Sequence, residues 1–115
     1  MKYMLLIYDN ENANLPESER STMEEWFSYT QAMRESGVYL GGDPLHRTPE
    51  ASSVRVRDGE RMITDGPFAE TTEQLGGYYM VEVETKEQAI EWAARCPGAR
   101  HGTIEVRQVM VIPGA

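Results

Sequence analysis

Tyr3-Met4-Leu5-Leu6-Ile7-Tyr8, closed by Asp9, is apolar at every one of its six positions. Side chains alternate across a strand, so Tyr3, Leu5 and Ile7 share one face while Met4, Leu6 and Tyr8 share the other. A strand with one wet face alternates apolar with polar residues; this one reads as covered on both sides. The run is too short for a signal-peptide core or a membrane span, and no other apolar stretch approaches roughly 18 residues. The chain therefore opens on a buried strand, and whatever completes the fold has two faces of a sheet to cover.

Beyond the polar loop of residues 9–16, Ser21 with Glu24 three residues later forms a capping-box pattern that opens a helix. Met23, Trp26, Phe27, Thr30 and Met33 fall on one stripe of that helix, which stops at Gly37. Val38-Tyr39-Leu40 reads as a short strand running into a flexible corner, Gly41-Gly42-Asp43-Pro44. Residues 53–57 and 61–64 flank Asp58-Gly59-Glu60, and Asp-Gly between alternating runs signals a β-hairpin. From 65 to 77 the chain reads as irregular, turning at Gly66-Pro67, anchored in the core by Phe68 and broken at Gly76-Gly77. A strand over 78–84 then sends Tyr78 and Tyr79 to opposite faces. Thr85 with Gln88 opens a second helix, whose Ala89, Trp92, Ala93 and Cys96 form its buried stripe and which Pro97-Gly98 ends. In the last strand, 103–112, apolar residues change parity between Ile104/Val106 and Val109/Val111, which predicts a bulge near Arg107-Gln108.

Strand, helix, strand, hairpin, strand, helix, strand amounts to two β-α-β halves with a hairpin inserted between them. That order predicts an α+β, ferredoxin-like plan: an antiparallel sheet with both helices on one face. A chain of 115 residues suits one domain over 1–115. Because two helices leave one sheet face bare, a homodimer packed sheet to sheet is expected, in preference to a long loop folded over that face.

Composition narrows the function classes. With 40% apolar residues the chain can bury a core, which rules out intrinsic disorder. Nineteen acids against eleven bases, a net charge of −8, argue against nucleic acid and anionic membranes as partners. The lone Cys96 has no intrachain disulfide partner and the amino terminus does not read as a signal peptide, which together point to the cytoplasm.

Two residues stand out for acid–base chemistry. Asp65 precedes the sharp turn Gly66-Pro67-Phe68, where a carboxylate can be desolvated toward a useful pKa; its plainer role is to accept backbone N–H groups in an Asx-turn. His46, in the Gly/Pro-rich corner, is the histidine placed to meet Asp65 if corner and loop fold together. His101, in a turn, ranks below it. Arg55 and Arg57 share a face of the hairpin strand with Arg47 just before it, a set able to grip a carboxylate or phosphate, or to pair with surface acids such as Glu70 and Glu73. Gly66, Pro67, Phe68 and Glu70 complete the expected ligand-binding set. No metal is expected, since Asp43-x-x-His46 supplies two ligands only, and no cofactor, since neither glycine pair matches a phosphate-binding loop.

The stretch Asp65-Gly66-Pro67-Phe68-Ala69-Glu70-Thr71-Thr72-Glu73-Gln74-Leu75-Gly76-Gly77-Tyr78-Tyr79 closely resembles the signature of the YCII-related proteins, in the branch named for its Asp-Gly-Pro-Phe motif. The likeness takes in the opening strand, Gly41-Gly42-Asp43-Pro44-Leu45, Ala89-Ile90-Glu91-Trp92-Ala93 and the closing Gly102-Thr103-Ile104-Glu105-Val106-Arg107, nearly the whole chain. It implies a dimeric α+β barrel of ferredoxin-like protomers. Some members look like small enzymes with a His–Asp pair in a pocket, and some of this branch occur beside or fused to extracytoplasmic-function sigma factors. This chain departs from the pattern in two places. The first helix lacks the histidine that the classical members carry there, and Thr72 stands where the branch usually has Lys.

The first reading is a small-ligand module with a pocket between the sheet and the 65–77 loop, where Asp65 and His46 would serve as acid and base if the ligand is turned over. The alternative is a non-catalytic regulatory or interaction protein, with a sigma factor as the partner the resemblance implies and a charge of −8 suited to a basic protein surface. A heme-handling or oxygenase role rests on fold analogy alone.

Overall fold

The structure, a computed structural model, describes residues 1–114. Its elements follow in the order β1 (Lys2–Asp9), α1 (Met23–Glu35), β2 (Tyr39–Pro44), β3 (Ser52–Arg57), β4 (Glu60–Asp65), β5 (Gln74–Glu82), α2 (Lys86–Arg95) and β6 (Thr103–Gln108). Strands pair antiparallel in the order β2-β5-β1-β6, with β3 and β4 forming a separate two-stranded sheet. The two β-α-β halves interleave to put β1 and β5 in the centre, so the fold is α+β and ferredoxin-like, with the hairpin inserted as expected. Among the described residues no helix is long and apolar enough to cross a membrane.

Alternation along the two central strands builds the core. Tyr3, Leu5, Val81 and Val83 point to the helices and are buried with Tyr29 and Met33 of α1, with Ala89, Trp92 and Ala93 of α2, and with Cys96. Complete burial of an aliphatic side chain such as Leu5 or Val81 contributes about 1.5–3 kcal/mol. The Tyr29 hydroxyl donates to the Trp92 carbonyl at 2.7 Å, joining the helices through a buried bond. On the opposite face Met4, Leu6, Tyr8, Tyr78 and Met80 are half-buried under no helix. As expected, Tyr78 and Tyr79 part company: Tyr79 enters the core side, while Tyr78 donates to Asp43 Oδ2 at 2.9 Å, a bond that raises its pKa.

Several boundaries differ from the sequence expectation, each for a local reason. The N-cap of α1 is Thr22, whose side chain accepts from Glu25 N–H while Glu25 bonds back, one residue later than the Ser21/Glu24 reading. Ser21 is free for another use because it stands outside the helix. Gly41 to Pro44 form strand, not a corner: Gly41, Gly42 and Asp43 pair with Met80, Tyr79 and Tyr78, and the absence of a side chain at Gly42 lets its backbone lie against the Tyr79 ring. Likewise β5 begins at Gln74 and runs through Gly76-Gly77, with a bulge opposite Ile7/Tyr8. The last strand ends at Gln108 in unbroken register with β1, so the change of parity marks its exit from the sheet and not a bulge.

The hairpin turns at Asp58-Gly59, both with positive φ (52° and 77°), as a tight two-residue turn requires. It projects as an arm with Val54, Val56, Met62 and Ile63 exposed. The radius of gyration, 16.3 Å, exceeds the ~13–14 Å of a compact domain this long, and the molecule is flat, 48 × 47 × 19 Å. Phe68, expected to anchor the core, is 78% exposed, because the turn after β4 lies at the base of this arm, clear of the helix-covered face.

Candidate functional site

α1 presents more apolar surface than the core consumes. At 100° per residue, Tyr29, Met33, Trp26, Met23 and Phe27 span an arc of roughly 160°, wider than the ~100° stripe of a surface helix. Tyr29 and Met33 take the buried part, whereas Met23 and Phe27 are each 68% exposed. They border a cleft of about 680 Å³ between α1 and the β2–β5 side of the sheet.

An aromatic floor lines this cleft. The Trp26 and Tyr79 rings lie 7° from parallel with centroids 6.4 Å apart, an offset stack held edge-on by Tyr29. The Tyr79 hydroxyl shares a 2.7 Å hydrogen bond with Thr30 Oγ1, which also donates to the Trp26 carbonyl at 2.9 Å. Close approach is built in at Gly98, where a Cβ would stand 3.3 Å from the Trp26 ring. Burial raises the Tyr79 phenol pKa, against the opposing effect of Thr30, so the hydroxyl is a neutral group near pH 7. At one rim the Arg34 guanidinium lies 4.4 Å over the Tyr39 ring.

At the other end stands a polar array. Trp26 Nε1–H donates to Ser21 Oγ at 3.1 Å, and Ser21 Oγ lies 3.2 Å from His101 Nε2. Which of the two donates depends on the imidazole tautomer. The loop bearing His101 is tied to α1 by its neighbour: Arg100 Nη2 meets Glu25 Oε2 at 2.6 Å, and this hydrogen bond, ahead of that from Thr22 N–H, lowers the Glu25 pKa. Asp9, Ser21, Gly76 and His101 line both this cleft and a second one of about 410 Å³ that continues it past the end of β1.

The residues singled out from sequence fall elsewhere. Asp65 is exposed at the end of β4, and His46 is exposed on the loop after β2, where it lines a third cleft with Pro67 and Phe68. Among the described residues no hydrogen bond joins Asp65 to His46. Arg55 and Arg57 lie on the arm, where the Arg57 guanidinium donates to the Val56 carbonyl, and Arg47 turns instead to the Glu11 carbonyl. Gly66 serves the base of the arm, its N–H donating to Ala51 O and its carbonyl accepting from Ser53 Oγ, and Glu70 is exposed. From the sequence His101, in a turn, ranks below His46, and Ser21 reads as a helix cap. The excess apolar arc of α1 is the signal in the sequence that points to the cleft.

Comparison with known proteins finds similarity over nearly the whole chain. A family model for the YCII-related domain matches residues 1–113. An uncharacterised protein of Rhizobium meliloti (strain 1021) is 30% identical over 112 residues, which cover 93% of this chain and 90% of that protein. With the family match running from the first strand to beyond the last, the chain belongs to the YCII-related family.

Proposed function

We propose that this protein binds a small planar, largely apolar molecule in the cleft between α1 and the sheet. The observation that carries the reading is the Trp26–Tyr79 stack: an ordered aromatic floor, open above, bordered by the exposed Phe27 and ending at the Ser21–His101 pair. Aromatic floors with a few placed polar groups are the usual make-up of small-molecule sites. The volume, about 680 Å³, suits such a ligand. Within the family we assign the chain to the Asp-Gly-Pro-Phe branch on residues 65–68. We also propose a homodimer through the sheet face of Met4, Leu6 and Met80, which leaves the cleft on the outer, helix-covered side of each protomer.

The test is a thermal-shift screen of substituted benzamides, phenols and indoles on the wild type and on Phe27→Ser, a change at an exposed position that spares the core. A compound present at a hundred times its Kd stabilises by about 2.7 kcal/mol. The reading expects at least one class to raise Tm in the wild type and less in Phe27→Ser. Equal shifts in both proteins would place binding elsewhere.

A further inference from the structure

The second cleft adds a charge requirement to the first. It is lined by Arg20, just before α1, and Arg47, just after β2, with Asp9 and Glu11. Among the described residues Arg100 is the one Lys or Arg side chain in an ion pair, so neither Arg20 nor Arg47, both exposed, is neutralised by a carboxylate. Each is held by a backbone carbonyl instead: Arg20 Nε donates to Leu15 O at 2.9 Å and Arg47 Nη2 donates to Glu11 O. One bond to a carbonyl fixes a guanidinium while leaving its other N–H groups without protein partners, and such forks match an oxyanion.

Resting on the small-ligand reading above, we infer that the ligand carries a carboxylate, held between Arg20 and Arg47 in the second cleft, with its apolar body on the Trp26–Tyr79 floor. The two clefts join at Ser21 and His101, so a single molecule can occupy both. The acids present select the kind of anion. Glu11 is engaged, its two carboxylate oxygens accepting from Thr48 N–H at 2.9 Å and Thr48 Oγ1 at 2.7 Å. Asp9, half-buried beside Gly76, lines both clefts at the junction. Two guanidiniums and two carboxylates lining one cleft accommodate one further negative charge more readily than two, which favours a carboxylate over a phosphate dianion. Arg34 is the other cation bordering the floor, and it is engaged over the Tyr39 ring at the opposite rim.

The experiment measures the Kd of 3-phenylpropanoate, 3-phenylpropanamide and phenyl phosphate by titration at pH 7 and low salt. The wild type is expected to bind the acid at least about tenfold more tightly than the amide, the range of a charge-assisted hydrogen bond. Phenyl phosphate should bind more weakly than the acid. In the double variant Arg20→Met/Arg47→Met the acid should fall to the level of the amide with the amide unchanged, whereas Arg34→Met and the charge-retaining Arg47→Lys keep the preference. An unchanged amide Kd also shows that the double variant is folded. Equal binding of acid and amide by the wild type, or a preference that survives in the double variant, overturns the inference and leaves the cleft reading standing. If none of the three aromatic probes binds, the cleft reading fails, and acetate decides the rest: perturbation of the Arg20 and Arg47 Nε–H resonances supports the anion site, and their constancy overturns it.

Discussion

Ser21 Oγ lies 3.2 Å from Nε2 of His101, a residue eighty positions further along the chain, and on its other side accepts the indole N–H of Trp26 at 3.1 Å. The serine that precedes the helix cap thus joins the aromatic floor to the loop after α2, and its neighbour Thr22 caps the helix.

Adjacent residues with separate duties should respond differently to loss of the hydroxyl. Ser21→Ala leaves the Trp26 indole and His101 without this partner and is expected to cost about 1 kcal/mol, with faster hydrogen exchange at the Trp26 indole. Thr22→Ala is expected to cost a similar amount, about 1 kcal/mol, by uncapping α1, with the indole unaffected. Urea unfolding with indole exchange by NMR checks both; slow indole exchange in Ser21→Ala would contradict the assignment.

Glycines 41 and 42 make a matched pair. A Cβ at Gly42 would stand 2.7 Å from both the Tyr78 carbonyl and the Tyr79 ring, whereas a Cβ at Gly41 meets nothing within 4 Å. Gly42→Ala should displace Tyr79 from its stack and destabilise by about 1–3 kcal/mol, with Gly41→Ala much milder. Equal loss in the two variants by urea unfolding would show that the ring does not depend on this close approach.

Alkaline pH should loosen the core through Cys96. Burial, the largest influence, pushes its thiol up to about 11 from an ordinary value of 9.0. Between those values the folded protein holds a proton that the unfolded chain releases, so stability is complete below about pH 9 and falls as pH rises toward 11. Two pH units of displacement correspond to about 3 kcal/mol. Burial also raises the Tyr29 phenol, so part of the decline belongs to that residue. The unfolding free energy of Cys96→Ala should decline less steeply over this window than that of the wild type; parallel declines would absolve the thiol.

The bare sheet face supplies a test independent of any ligand. Met80 sits on the central strand β5 opposite Met4, pointing away from the helices. The wild type should sediment at twice its 13.0 kDa chain mass, and Met80→Glu at 13.0 kDa with its circular dichroism preserved. A wild type that sediments as a single chain would remove the sheet-to-sheet dimer.

Much of this architecture was legible because local chemistry and tertiary packing agree. The doubly apolar β1, the Thr85/Gln88 box with the Ala89-Trp92-Ala93-Cys96 stripe, and the Asp58-Gly59 turn each specify their element without help from distant residues. Misreadings cluster where a long-range contact overrides a local preference. Gly41-Gly42 and Gly76-Gly77 look like breaks, yet each extends a strand because a neighbour comes too close for a side chain: Tyr79 at Gly42, and Asp43 at Gly77. The candidate site suffered more. From the sequence Asp65 and His46 read as a pair if corner and turn fold together; His46 does share a cleft with Pro67 and Phe68, but Asp65, exposed at the end of β4, stands outside it. The adjacent pair Arg20 and Ser21 meets Arg47 and His101 from two other loops far away in sequence, which no spacing rule connects.

The most direct measurement follows the two indole N–H resonances while a neutral aromatic amide is titrated into the labelled protein. Trp26 floors the cleft, and Trp92 is buried between α2 and the sheet, where Tyr29 bonds its carbonyl. The Trp26 indole signal is expected to move saturably, together with the amides of Ser21, Thr30 and His101, while the Trp92 signal stays in place. Binding that leaves Trp26 unmoved, and shifts His46, Phe68 and Leu75 instead, would contradict it.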